Sequence, residues 1–395
     1  MKKFLLASAA TLVATSAFAQ DDTVKLGIIL GYTGPLESLA PGMESGAKLA
    51  IAEVNESGAL LGGTTVEAVT GDSTCVDAAA ATAAAERLVT GDGVVGIMGA
   101  DCSGVTGAIL SNVAVPNGVV VISPSATSPG LTAAEDNGLF FRTAPSDARQ
   151  GQIISDILME KGIETVAVTY TNNDYGKGLA DAFQSAYEEA GGTVTISAAH
   201  EDGKADYSAE VGALAAAGGD RLVVAGYVDQ GGSGIVRAAL DSGAFDTFHF
   251  PDGMIAQALV DNFGSEIDGS SGDNPGTDSE GAKLYQDMAT EEGYDGTSAF
   301  SAESYDAAAL MMLAMQAAGS TDPAAWKESV MDVANAPGEQ ILPGELEKAL
   351  QILQEGGDVD YVGASAVELI EPGESAGNYR VVGFENGEMV VEGYR

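Results

Sequence analysis

Short runs of Val and Ile alternate along this chain with Ala-rich stretches whose apolar residues recur at helical spacing. The runs VKLGIIL (24–30), VVGIM (94–98), GVVVIS (118–123), TVAVTY (165–170) and RLVVAGY (221–227) are short and nearly continuous. Such runs read as strands buried on both faces, as in a parallel sheet. Helical spacing predicts helices over 43–56, 77–90, 104–114, 175–190, 206–217 and 231–242. Strand–helix alternation of this kind predicts an α/β architecture: parallel sheets wound on both faces by helices. Two such runs are visible, one ending near Ile122 and the next opening near Thr165. Between them GLFFRTAPSDARQG (138–151) breaks the rhythm, and is expected to carry the chain from one lobe to the other.

Past Gly264 the pattern changes. SEIDGSSGDNPGTDSEG (265–281) is polar and rich in Gly, Asp and Ser, and reads as a solvated connection. Its Asp268, Asp273 and Asp278 do not match a calcium loop. Helices are expected at 302–318, 323–334 and 344–354, followed by short strands over 360–394. GDGVVG (91–96) fits a dinucleotide fingerprint by letter only, because it follows a helix and precedes a strand, the reverse of what phosphate binding needs. Gly91 reads instead as the glycine that ends a helix.

The first residues form a leader. Lys2 and Lys3 precede a short apolar stretch, and Ala17-Phe18-Ala19 is a small-residue cleavage site. Residues 1–19 are expected to be removed. The predicted mature chain begins at Gln20, which is no lipid-anchor cysteine, so a soluble exported protein is expected. Cleavage removes two lysines and no acid, leaving 15 basic residues against 58 acidic ones. That balance argues against nucleic acid and against anionic lipid, both of which are bound through Lys and Arg clusters. A mature length of 376 residues fits two domains. Two cysteines in an exported chain read as one disulfide, Cys75–Cys102. Only His200 and His249 are available, on separate segments, so no metal site, cofactor or catalytic constellation is expected. GADCSGVTG also lacks the G-x-S-x-G pattern of a nucleophile elbow.

Several motifs, in order, resemble the periplasmic leucine/isoleucine/valine-binding proteins, the solute receptors of ABC transporters. They are LGYTGPLESL, DCSGVTG, ISPSATSPGLT, FRTAPSDARQG, NNDYGKGLA, PDGM and SYDAAALMMLAMQAAG. The resemblance covers essentially the whole mature chain. It implies a type I periplasmic binding fold, with two doubly wound lobes joined by a three-segment hinge and the ligand held between them. The corresponding division is 20–142 plus 270–364 for one lobe and 143–269 plus 365–395 for the other.

The resemblance also implies a ligand set. The backbone N–H and hydroxyl of Ser103 would take an amino acid's α-carboxylate, as a helix N-terminus suits an anion. The Ser125 carbonyl and Thr127 hydroxyl would accept from the ammonium, and the Thr127 N–H would support the carboxylate. Tyr175, Tyr227 and Asp252 match cleft positions of the second lobe, with Asp252 standing where the family carries Glu. Leu39 matches a position beside the ligand side chain. A simple helix cap at Ser103, a Ser/Thr turn at 124–127 and ordinary packing of the tyrosines are the alternative readings. Glu37 and Asp101 are candidates to face the cleft, which would favour a more polar ligand. The expected role is a monomeric periplasmic receptor delivering an amino acid, branched-chain or otherwise aliphatic, to an inner-membrane permease. A receptor for an amide or urea, and a sensory binding module, remain open. An exported hydrolase would need a nucleophile–base pair that the sequence does not offer.

Overall fold

The computed structural model describes residues 23–395; the expected leader, 1–19, lies outside the described residues. Five strands open the first lobe: β1 (Thr23–Leu30), β2 (Thr65–Asp72), β3 (Gly96–Gly99), β4 (Val120–Ser123) and β5 (Phe140–Pro145). Five more open the second: β6 (Thr165–Thr171), β7 (Thr193–His200), β8 (Arg221–Ala225), β9 (Phe248–Phe250) and β10 (Ser271–Pro275). β11 (Glu339–Ile341) and β12 (Val359–Tyr361) form a separate parallel pair. β13 (Leu369–Ile370) and β14 (Glu374–Ser375) return to the first sheet, and β15 (Tyr379–Glu385) and β16 (Glu388–Tyr394) close the second. The orders are β13-β14-β5-β4-β3-β1-β2 and β16-β15-β10-β9-β8-β6-β7. Within β1–β5 and within β6–β10 every pairing is parallel.

The apolar runs fall on β1, β3, β4, β6 and β8, as expected of strands covered on both faces. Four further strands carry no such run. β2 and β7 are largely exposed or half-buried because they lie at sheet edges, β9 is only three residues long, and β5 lies inside the interrupted segment 138–151. The segment expected as a solvated connection, 265–281, is corrected more sharply. Its residues Ser271–Pro275 form β10, all of them buried between β9 and β15. Polar side chains survive there because they satisfy one another: Asp273 accepts from Gln150 Nε2 at 3.0 Å and pairs with His249 Nε2 at 2.8 Å. The helix before β3 ends in the left-handed residue Gly93, after a widened last turn, and not at Gly91.

Sheet membership also moves the crossings between lobes. They lie at 145–147, 275–280 and 375–379, so 270–275 sits with the second sheet and 369–375 with the first. Proline stands at two of these exits, Pro145 and Pro275. Among the described residues no helix is long and apolar enough to cross a membrane.

Helix Ser301–Ala318 is buried at every position from Glu303 to Gln316, and it packs along helix Ala40–Ser57. At Gly46 they meet so closely that an added Cβ would strike the Ser301 backbone carbonyl. Gly46→Ala should therefore force the two helices apart and cost about 1–3 kcal/mol, the usual penalty of overpacking. Urea unfolding monitored by circular dichroism would check this, and an unchanged midpoint would contradict the packing described.

Candidate functional site

Strand order reverses between β1 and β3 in the first sheet and between β6 and β8 in the second. At such switch points successive loops leave in opposite directions and open a crevice beyond the strand C-termini. The two crevices face each other. Leu36 follows β1 and Ser103 follows β3; Tyr175 follows β6, Tyr227 follows β8 and Asp252 follows β9. With Ser125 and Phe300 these residues line one narrow space between the lobes. The mouth is held shut on one side by Ser38 N–H, which donates to Asp229 Oδ2 at 2.9 Å, and by Asp229 N–H, which donates to the Pro35 carbonyl at 3.2 Å.

The first-lobe half is tied together by a buried carboxylate. Asp101 Oδ2 accepts from Gly31 N–H at 2.7 Å, and Oδ1 accepts from the Ser73 hydroxyl at 3.0 Å and Cys102 N–H at 3.1 Å. One side chain thus fixes the chain ends leaving β1, β2 and β3. Burial pushes its pKa up, and these hydrogen bonds oppose that rise. The Cys75–Cys102 disulfide, with Cα atoms 5.1 Å apart, joins the second of these loops to the third. Cys102 occupies the cap position of the helix beginning at Ser103, so Ser103 is its first residue and not a simple cap. The N–H groups of that first turn have no partner within the helix. The Ser103 hydroxyl accepts from Ser128 N–H at 3.0 Å. The Ser125 hydroxyl donates to the Asp101 carbonyl at 3.0 Å. Buried Arg142 on β5 pins the loop from 124 to 132 by donating to the carbonyls of Ala126 and Ser128, at 3.0 and 2.9 Å, and to Glu374.

The second-lobe half is aromatic and acidic. The rings of Tyr175 and Tyr227 stack with centroids 5.2 Å apart. The Tyr175 hydroxyl donates to Asp252 Oδ1 at 2.6 Å, and Gly253 N–H donates to the same oxygen at 2.8 Å. The Tyr227 hydroxyl accepts from Asn173 at 3.2 Å. Burial is the main cause that pushes Asp252 above the ordinary carboxylate range, with Asp273 adding to it and the Tyr175 hydrogen bond opposing it. Behind the cleft stands a second buried acid, Asp147, which opens helix Asp147–Glu160; burial and the charge of Asp252 push its pKa well up.

Of the residues expected from the sequence, Ser103, Ser125, Tyr175, Tyr227 and Asp252 come together around one space. Thr127 is buried outside that lining, and its carbonyl accepts from Asp147 N–H at 2.9 Å. Leu39 does not reach the space. It caps helix Ala40–Ser57 and is buried in the first-lobe core, and Leu36, one turn earlier, lines the cleft in its place. Glu37 is exposed. Asp101 does line the space, but both its oxygens are occupied by the loops it anchors. Phe300 escaped sequence reasoning because a lone Phe ahead of a helix carries no pattern; its left-handed backbone (φ 63°) is what turns the chain into that helix.

Comparison with known proteins agrees with this geometry. The profile of the periplasmic binding protein family matches residues 23–337. A "Leu/Ile/Val-binding protein homolog 3" of Brucella melitensis biotype 1 is 33% identical over 228 residues, 58% of this chain and 60% of the relative, so the match spans less than two thirds of that protein. A "Leu/Ile/Val-binding protein homolog 1" of the same organism is 30% identical over 306 residues, 76% of this chain and 80% of the relative. Among solved structures, the leucine binding protein LivK of Thermotoga maritima superposes with a TM-score of 0.79 at 24% identity, covering 94% of this chain and 98% of that one, a likeness of fold. Two parallel-sheet lobes, a closed cleft at their switch points and a family match across both lobes lead to one assignment: the chain belongs to the periplasmic binding protein family.

Proposed function

We propose that this protein is the periplasmic receptor of an ABC importer, and that it captures an aliphatic α-amino acid between its lobes for delivery to the permease. The observation that carries the reading is the opposition of charges across the cleft. The first lobe presents a helix start at Ser103, suited to a carboxylate, and the second presents the buried carboxylate of Asp252, suited to an ammonium. A zwitterion bridges the two. Leu36, Phe300 and the tyrosine rings leave apolar walls for an aliphatic side chain. The names of the relatives, Leu/Ile/Val-binding proteins, support the same ligand class. An uncharged amide or urea fits less well, because it would leave a buried carboxylate without a cation. The role needs binding and closure alone, and no reacting group is assigned.

The cleft residues then take these parts. Ser103 receives the carboxylate through its N–H and hydroxyl, Ser125 offers an oxygen to the ammonium, Thr127 reaches it from behind the lining as the lobes settle on the ligand, and Asp252 neutralises it. The mature protein begins at Gln20 in this reading and works as a soluble monomer. Asp229, bridging to Pro35 and Ser38, holds the closed form.

Binding to the native state alone raises the melting temperature by mass action. A thermal-shift panel of the common L-amino acids and small amides at millimolar concentration should therefore contain at least one strong stabiliser, drawn from the aliphatic amino acids. A panel without any stabiliser would overturn the reading, and so would release of a chemically altered solute.

Asp252 gives a paired test. Asp252→Ala leaves the ammonium buried without its anion and should weaken binding by about 2–5 kcal/mol, roughly 30- to 4,000-fold. Asp252→Asn should also bind weakly, while exposed Asp278→Ala should bind as the parent does. Stability should move the other way. Asp252 has a raised pKa in the folded protein. The stability it contributes is therefore complete below about pH 4 and is lost as pH rises through neutrality. Ligand-free Asp252→Asn should consequently melt above the parent at pH 8. Calorimetry and thermal melts check both arms; equal affinity across the three variants would show that the ammonium is held elsewhere.

A further inference from the structure

Asp147 is fully buried, and neither of its carboxylate oxygens has a hydrogen-bond partner among the described residues. The groups packed around it are Asp252, Asp273, Tyr379, Arg142 and Thr127, drawn from both lobes and from the crossings between them. Most are already engaged. Asp273 is satisfied by His249 and Gln150, and Arg142 spends its Nη groups on two carbonyls, Thr132 and Glu374. The Tyr379 hydroxyl, buried and unpartnered, is one exception, and Thr127 is the other. Its hydroxyl is buried and likewise unpartnered, it lies close enough to favour the ionised form of Asp147, and its carbonyl is bonded to the Asp147 N–H. Two complementary groups without other partners therefore adjoin, immediately behind the cleft wall at Ser125 and Asp252.

We propose that Asp147 is a positioning residue for the ligand's ammonium: ionised once the ammonium is bound, it accepts a hydrogen bond from the Thr127 hydroxyl, which turns an oxygen lone pair toward the cleft, and with Asp252 it makes the site select solutes carrying a positive charge over carboxylates that lack one. A hydroxyl has one donor and two acceptor sites. With its proton committed to Asp147, Thr127 presents only acceptors to the ligand. Without that anion the proton is free to point at the ammonium and oppose it. The second negative charge adds to the field at the same spot, where water is excluded and charges act strongly. A solute bearing a carboxylate but no ammonium brings no cation to either acid, so both keep their protons and the solute gains nothing from them. The proposal rests on the amino-acid reading above and adds to it a selecting group that does not touch the solute.

The test uses the mature protein and two ligands that differ by the ammonium alone, L-leucine and 4-methylpentanoate; if another amino acid leads the panel, it and its deamino analogue serve. Asp147→Asn keeps the shape, and removing an unpaired buried charge should leave its melting temperature equal or higher. Calorimetry should show L-leucine weakened about tenfold or more, as for loss of a charge-assisted hydrogen bond, with 4-methylpentanoate unchanged or tighter. Thr127→Val should shift the leucine-to-analogue ratio in the same direction, and the double variant should lose no more than the larger single effect, because the two residues act as one unit. Equal losses for both ligands would show that Asp147 only supports the fold and would overturn the proposal, as would unchanged leucine affinity. Should Asp147→Asn not fold, Thr127→Val on the same two ligands decides by the same ratio. A parent protein that binds no amino acid at all would instead remove the reading on which the proposal rests.

Discussion

The lobe junction is short of positive charge, and much of the structure follows from that. Asp147, Asp252 and Asp273 are buried within one region where Arg142 is the cation beside them, and Arg142 is committed to the loop it anchors. Burying an unpaired carboxylate costs several kcal/mol, and two neighbouring ones resist ionising together. Asp273 escapes this cost through His249 and Gln150. Asp252 and Asp147 lessen it by holding protons more tightly, which makes the closed, ligand-free form less favourable at neutral pH than the same packing around a cation. In the proposed binding mode an arriving ammonium would offset both charges at once. Closure would thereby be coupled to the right ligand, since binding shifts the equilibrium only through its preference for one state.

The two lobes contribute differently to that event. Asp101 ties three loops of the first lobe into one unit, and the Cys75–Cys102 disulfide ties two of them again covalently. This half is built before the ligand arrives, which lowers the ordering cost of binding. Its counterpart in the second lobe is a pair of stacked rings and one carboxylate held by a tyrosine hydroxyl and a backbone N–H. Across the mouth the lobes are joined by the Asp229 contacts to Pro35 and Ser38. Hydrogen bonds of this kind are worth about 1 kcal/mol each net, enough to favour closure without locking it.

The architecture was legible where burial is uniform. Strands covered on both faces must be continuous apolar runs, so β1, β3, β4, β6 and β8 announced themselves. Edge strands β2 and β7 have no such requirement, and β10 is polar yet buried, stable only through partners far away in sequence. The cleft was legible to the extent that its residues stand at strand ends: Ser103, Tyr175, Tyr227 and Asp252 could be placed by motif and order. What stayed hidden depends on direction in space. Which leucine of the loop after β1 turns inward is decided by the start of helix Ala40–Ser57, which consumes Leu39 and leaves Leu36 to the cleft. Asp147 read as part of a crossing, because nothing in one sequence reveals that its neighbours leave its oxygens unpaired.

In the proposed binding mode an amino acid bridges the lobes, with its carboxylate at Ser103 and its ammonium at Asp252. A crystal structure of the mature protein with the amino acid that stabilises it most tests this directly. Expected are the carboxylate against the Ser103 N–H, the ammonium within hydrogen-bond distance of Asp252, and the side chain between Leu36, Phe300 and the tyrosines. A ligand bound in the opposite orientation, or outside this cleft, would contradict it.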